Sequence, residues 1–269
     1  ARNRAIRQGE SPAVLELIEH VFDEDAFTIG FARRFATYKR ATLIFRDMER
    51  FERLLNNPQG RAQIMFSGKA HPADDAGTTY IQHIVRVAQT PEYWDKVGFI
   101  EDYDMNVARY LVQGVDLWLN TPRRPREASG TSGQKAAMNG VPNLSGLDGW
   151  WVEGYNGKNG WVVGEEREYR DSEVQDEADS VSLYRALEHD IIPLYFDRDE
   201  DGVAHGWVAV AKEAMHSSLW AFSFRRMLGE YCQQLYAPAA QNSAAMAAGK
   251  FDPARQLAAW KATIRAHWD

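Results

Sequence analysis

Cysteine is nearly absent. The single Cys232 in 269 residues cannot form an internal disulfide, and no Cys/His cluster has zinc spacing, so a reducing, cytoplasmic setting is expected. No uninterrupted apolar run approaches the length that crosses a bilayer, and Ala1-Arg2-Asn3-Arg4 does not lead into a signal-peptide core. A soluble protein with no membrane partner is expected. Positive charge is not in excess either: 31 Lys and Arg stand against 38 Asp and Glu, a net charge of −7. A general nucleic-acid binder needs a basic face to displace counterions, so that class is set aside and any basic site must be local. Internal repeats are missing. The chain opens on Ala1 without an initiator Met, which fits processing or a piece of something longer.

What is present is a large apolar content, 45% of residues, in a chain longer than the usual single domain. Ser11-Pro12 opens a helix with apolar positions Val14, Leu15, Leu17, Ile18 and Val21 at helical spacing. Phe27–Ala32 reads as a first strand, followed by a long helix ending near Leu55. Ile64-Met65-Phe66 marks a second strand, 75–90 a helix, 96–103 a third strand, Met105–Gln113 a helix, Val115–Asn120 a fourth strand and Asn143-Leu144-Ser145 a fifth. Strands alternating with helices at this rhythm predict an α/β fold, a Rossmann-like parallel sheet with helices on both faces. Residues 148–164 are dense in Trp and Gly, which suits core filling and also sugar stacking. Residues 165–179 read as an acidic loop, 181–196 and 207–236 as helices. After Pro238 an Ala/Gln/Asn/Ser stretch reads as a linker, before a last helix with Leu257, Trp260, Ile264 and Trp268 on one face. The expected division is a helical segment over 1–26, one Rossmann-like lobe over 27–236, and a linker with a terminal helix over 237–269, whose apolar stripe needs a surface to cover.

Two stretches carry chemistry. Glu127 to Gly140 reads EASGTSGQKAAMNG, a polar loop between a buried strand and a helix start. Free amides and partial positive charge at a helix start, with Ser129, Gly130, Thr131 and Gly133 allowing close approach, suit a phosphate. Lys135 then sits one turn into the helix, where a lysine shielded from water becomes a neutral amine able to condense with an aldehyde. Pyridoxal phosphate meets both demands, although a Ser/Gly loop alone is also what an ordinary capped turn looks like. The second stretch, Arg33 to Arg40, places four cations in eight residues directly after the first strand, where open α/β sheets bind ligands. A charge run is also a common solvated face; its place in the chain argues for an anion site.

Taken together, Phe31 to Arg40 (FARRFATYKR), Ile100 to Asp104 (IEDYD), Glu127 to Lys135 and Asn156 to Trp161 (NGKNGW) closely resemble the carboxyl-terminal half of short bacterial and archaeal α-glucan phosphorylases, over most of the chain. The resemblance implies the second lobe of a two-lobed GT-B architecture, with the active site between the lobes and the first lobe of the same enzyme as partner. It implies pyridoxal phosphate held covalently by Lys135, with Arg33, Arg34 and Lys39 binding the cofactor and substrate phosphates and Tyr38 in the same motif. Tyr103 matches the tyrosine near the cofactor. Gly130, Thr131 and Gly133 match the loop around cofactor phosphate and sugar, and Glu127 and Ser129 match positions that hydrogen-bond the glucosyl unit. Asp104 departs from the long-form enzymes, which carry an arginine there, so the cofactor phosphate loses a cation that another residue must replace.

The implied reaction is phosphorolysis of terminal α-1,4-glucan units by inorganic phosphate to glucose 1-phosphate, with retention and no metal. This chain alone is expected to be inactive or nearly so. Two alternatives stay open: a nucleotide-sugar glycosyltransferase lobe, which needs no Lys135, and a non-catalytic cofactor- or glucan-binding module. A homo-oligomer also stays open.

Overall fold

The computed structural model describes Ile6, Arg7 and residues 9–268. The expectation for Ala1 to Arg4 and the side chain of Leu17 lie outside the described residues. Up to Leu219 the chain forms one compact unit, and from Trp220 on a second.

The first unit begins with α1 (Pro12–His20), where the Val14 amide donates to the Ser11 hydroxyl at 3.4 Å and Pro12 opens the helix. Such a start satisfies an orphan amide, and proline loses nothing there. The sheet follows as β1 (Phe27–Ala32), β2 (Ala62–Ser67), β3 (Val97–Ile100), β4 (Leu117–Asn120), β5 (Asn143–Gly146) and β6 (Gly160–Val163). All pairings are parallel, in the order β3-β2-β1-β4-β5-β6. This is the Rossmann-like α/β sheet that the strand and helix rhythm predicts. The chain builds outward from β1 to β3, then crosses back to lay β4 on the other side of β1. That reversal parts the loops after β1 and β4, and a crevice opens at their carboxyl ends.

Strand alternation feeds two apolar cores. From β1 and β4, Phe27, Ile29, Phe31, Leu117 and Leu119 join one core, while Ala32 and Trp118 join the other, as a period of two requires. The first core takes Phe51, Leu54 and Leu55 from α2 (Met48–Leu55) and Ile84 and Val87 from α3 (Asp75–Ala88). The second takes Leu111 and Val112 from α4 (Met105–Gly114) and Ala136 from α5 (Thr131–Met138). Fully burying a Phe or Leu side chain contributes about 1.5–3 kcal/mol, so these faces hold both helix layers against the sheet.

Several boundaries differ from expectation for identifiable reasons. The long helix expected up to Leu55 is a single 3-10 turn, Leu43–Phe45, followed by α2, because Asp47 restarts the helix by accepting from the Arg50 amide at 2.9 Å. The Trp/Gly stretch supplies the short α6 (Trp150–Gly154) and the unanticipated edge strand β6. Trp150 and Trp151 are buried.

The acidic loop is largely a helix, α7 (Ser172–Arg185), capped by Asp171, and it continues through a π-helical turn, Ala186–Ile191, into α8 (Ile192–Phe196). Its inward face includes Gln175, Asp176, Asp179 and Ser180, so no apolar stripe announces it. Then comes α9 (His205–Ala221). In the second unit, α10 (Phe224–Tyr231) leads through a π-helical turn, Cys232–Tyr236, into α11 (Ala237–His267). The stretch expected as a linker is therefore helical, broken only at Ala248–Phe251, where Gly249 takes φ +56°. Leu257, Trp260, Ile264 and Trp268 are all exposed. No described helix is long and apolar enough to cross a membrane.

Candidate functional site

The crevice at the β1/β4 switch is a cleft of about 720 Å³. Three segments wall it. The loop after β1 brings Arg33, Arg34 and Lys39; one side of α4 and the residues before it bring Tyr103, Met105, Ala108, Arg109, Val112 and Gln113; the loop before α5 and α5 itself bring Glu127, Gly130, Thr131, Ser132, Lys135 and, at its end, Asn139. Residues more than a hundred positions apart thus meet because parallel strands end at one edge.

At its centre Glu127 receives Arg33 and Lys39 together: both donate to the same carboxylate oxygen, and all three side chains are at most 9% exposed. Burial pushes the Glu127 carboxyl up, but the Arg33 charge and the hydrogen bonds from Lys39 and Arg33 outweigh it and hold Glu127 below the usual carboxylate range. Burial likewise pulls the Arg33 guanidinium below its ordinary value, with Glu127 opposing. One carboxylate therefore balances two buried cations. The Nε and Nη1 atoms of Arg33 are buried without a hydrogen-bond partner among the described residues. Such donors carry a desolvation penalty until an acceptor arrives. Arg34, Arg109 and Lys135 also face the cleft without a carboxylate partner among the described residues. The chemistry that suits these donors is an anion with several acceptor oxygens.

Lys135 corrects one expectation. It is exposed, with Nζ 3.5 Å from the Thr131 hydroxyl one turn back, rather than buried as a neutral amine requires. Arg34, Met105, Arg109 and Lys135 give the cleft an exposed rim within the first unit. Gly130 takes φ +85° as the residue before α5, a conformation that costs a side chain strain.

Gly133 does not line the cleft. A Cβ there would lie 2.5 Å from Asn143 Oδ1 and 3.0 Å from Asn120 Nδ2, so this glycine lets α5 sit on a buried pair of asparagines. That pair is joined at 3.1 Å, and Asn143 also donates to the Gly133 carbonyl at 3.0 Å. Ser129 is exposed beside a second, small cavity that Arg33, Glu127 and Gly130 also line. Tyr38 packs its ring under Lys39 Nζ, 4.6 Å from the centroid. Burial raises the Tyr103 hydroxyl, with the Arg33 charge opposing.

Of the four cations after β1, Arg40 is not in the cleft. It turns the other way at φ +48° and pairs with Asp176 at 2.9 Å and Asp179 at 2.7 Å. Asp104 accepts from the Val107 amide at 2.8 Å and caps α4. Arg109 projects from that same helix into the cleft, and sequence reasoning missed it. A cation five residues beyond the helix cap was the available signal, but only the packing of α4 shows which side it faces.

The sequence profile of the carbohydrate phosphorylases matches residues 13–186. The chain belongs to the carbohydrate phosphorylase family. Maltodextrin phosphorylase of Thermococcus litoralis is 49% identical over 92% of this chain and 29% of its own length. Glycogen phosphorylase of Aquifex aeolicus is 48% identical over 88% of this chain and 34% of its own. Glycogen phosphorylase of Mycobacterium tuberculosis is 41% identical over 99% and 31%. This member of the phosphorylase family thus spans about a third of the length of these curated relatives.

Proposed function

We propose that this chain is the carboxyl-terminal catalytic lobe of an α-1,4-glucan phosphorylase, which releases terminal glucosyl units as glucose 1-phosphate with retained configuration, in the cytoplasm. The observation that carries the reading is the under-compensated cation cluster: Arg33 and Lys39 share one carboxylate, and two buried Arg33 nitrogens lack an acceptor among the described residues. A phosphate monoester fits those donors. Lys135, exposed on the same cleft, is the covalent anchor for pyridoxal phosphate, and Thr131 and Gly130 flank it. When bound, pyridoxal phosphate supplies a phosphate group able to exchange a proton with the attacking phosphate.

The remaining work falls to this chain. Arg33 and Lys39 neutralise two phosphates brought close together, and Arg34 steers the attacking inorganic phosphate. Cations around that phosphate keep it near neutral-pH proton exchange, so it can hand a proton to the departing glycosidic oxygen. Glu127 and Ser129 hydrogen-bond hydroxyls of the glucosyl unit, and Tyr103 and Met105 form the apolar wall against a planar ring. The cleft's open side is where the first lobe of the enzyme excludes water.

Borohydride reduction of the chain with pyridoxal phosphate, followed by peptide mapping, tests the anchor. The pyridoxyl label is expected on Lys135, and a label on another lysine, or none, overturns it. A label-free protein is also what the nucleotide-sugar alternative requires. In the enzyme with both lobes, Arg34→Ala and Lys39→Ala are each expected to lower turnover about a hundredfold while cofactor stays bound. Unchanged release of glucose 1-phosphate in both removes them from the reaction.

A further inference from the structure

Behind the cleft, the same two loops that carry Lys39 and Glu127 are joined a second time. Arg40, next in sequence to Lys39, is buried and reaches four acceptors. Its Nε donates to the Thr121 carbonyl at 2.8 Å, Nη2 to the Pro122 carbonyl at 3.0 Å and Nη1 to Asp176 at 2.9 Å, and Nη1 forms an ion pair with Asp179 at 2.7 Å. Arg123, four residues before Glu127, forks onto the same Asp176, with Nε at 3.1 Å and Nη2 on the second oxygen. The Arg123 amide donates to the Tyr38 carbonyl at 2.7 Å, and the Thr121 hydroxyl to the carbonyls of Lys39 and Arg40 at 3.0 and 3.1 Å. Among the described residues, Asp176 is thus the one side chain that accepts from an arginine of each loop, and it comes from neither.

We propose that Asp176 is a positioning residue of the phosphate site. Held on α7, it clamps Arg40 to Arg123 and so fixes the spacing at which Lys39 meets Glu127 on the other side of the loops. The Arg123–Asp176 pair is bidentate, which sets direction as well as distance, and the single bond from Arg40 to the same carboxylate ties the second loop to it. Helix α7 buries Leu183 and Tyr184 in the core at its carboxyl-terminal end, but nearer its start it turns Asp176 and Asp179 inward, both at most 8% exposed, which costs desolvation unless the arginines stay in place. The inference rests on the cleft being a phosphate site and adds to that reading a residue outside the cleft.

The test uses the 269-residue chain and Asp176→Asn, Arg123→Lys and Glu173→Gln. In Asp176→Asn the Arg40 charge keeps Asp179 and both carbonyls, so the fold is expected to persist. Arg123→Lys keeps the charge and loses the fork, and it decides the matter if Asp176→Asn does not fold. Glu173 pairs with Arg46 on the exposed face of α7 and serves as the control. Hydrogen exchange is read at the Arg123 and Lys39 amides, and binding of inorganic phosphate and of pyridoxal phosphate by titration.

Asp176→Asn and Arg123→Lys are each expected to speed exchange at Arg123 and to weaken phosphate binding, both on the order of tenfold, with Glu173→Gln unchanged. Unchanged exchange, or faster exchange with unchanged phosphate affinity, overturns the proposal. If the unmutated chain binds neither phosphate nor pyridoxal phosphate, the phosphate reading itself fails, while exchange at Arg123 still reports whether Asp176 couples the loops.

Discussion

Lys39 and Arg40 are neighbours in the chain and opposites in the fold. Lys39 joins Arg33 on Glu127, two buried cations on one carboxylate, with Arg34, Arg109 and Lys135 nearby and without a carboxylate partner among the described residues. Arg40 joins Arg123 on Asp176 and Asp179, two cations on two carboxylates, with two main-chain carbonyls completing the set. Both clusters are buried, so burial does not tell them apart. Charge balance does. A cluster that closes on itself has nothing to offer a ligand, whereas one short of negative charge and of acceptors is stabilised when an anion arrives.

The largest loss is expected at Arg40. Arg40→Met leaves Asp176 and Asp179 facing each other in the interior, and removing one partner of a buried charge set costs about 3–5 kcal/mol. Urea unfolding is expected to show that loss, and added phosphate is expected not to restore it. A change within about 0.5 kcal/mol would mean the second cluster is not structural.

Glu127→Gln removes the charge from the first cluster but keeps an acceptor, so a smaller loss of about 2 kcal/mol is expected. Here inorganic phosphate is expected to bind more tightly than to the unmutated chain and to return the lost stability, because a ligand bound only by the folded state stabilises it. Failure of phosphate to raise the unfolding midpoint of this variant would erase the distinction between the two clusters.

Acid sharpens the contrast, since the two sites titrate in opposite senses. Glu127 is held below its ordinary value, so its contribution is complete above the unfolded carboxylate range and is lost as pH falls through the folded value. Asp179 is pushed above its ordinary value by burial, with Arg40 opposing, so stability rises as pH falls from above the folded value toward the unfolded one. Urea midpoints from about pH 3 to about pH 7 are expected to show Glu127→Gln flattening the acid-side loss and Asp179→Asn removing the opposite slope.

The smallest effect on stability is expected at Lys135, which is exposed, with its amine 3.5 Å from the Thr131 hydroxyl. Lys135→Ala should leave the unfolding free energy within about 0.5 kcal/mol while abolishing borohydride-fixed pyridoxal phosphate. A retained label would move the anchor to another lysine.

Much of this was legible in the sequence. Alternating apolar runs fixed the parallel sheet, and that the loops after β1 and β4 meet was legible because a parallel sheet collects them at one edge. Less legible were elements whose inward face is polar or small. Helix α7 turns carboxylates toward arginines and so lacks an apolar period, and β6, Gly160–Val163, is hidden by Trp and Gly that suit either a core or a sugar surface. Arg40 was indistinguishable from Arg33, Arg34 and Lys39 as one more cation in a run.

Local periodicity and short spacing are enough to lay down the sheet, the phosphorylase motifs and the residue types available at the crevice. Which cations face the cleft, the exposure of Lys135, the packing role of Gly133 and the contact of Asp176 with an arginine from each loop follow from the assembled fold. Those outcomes depend on which charges find partners from distant strands and helices, and no local pattern along the chain records that choice.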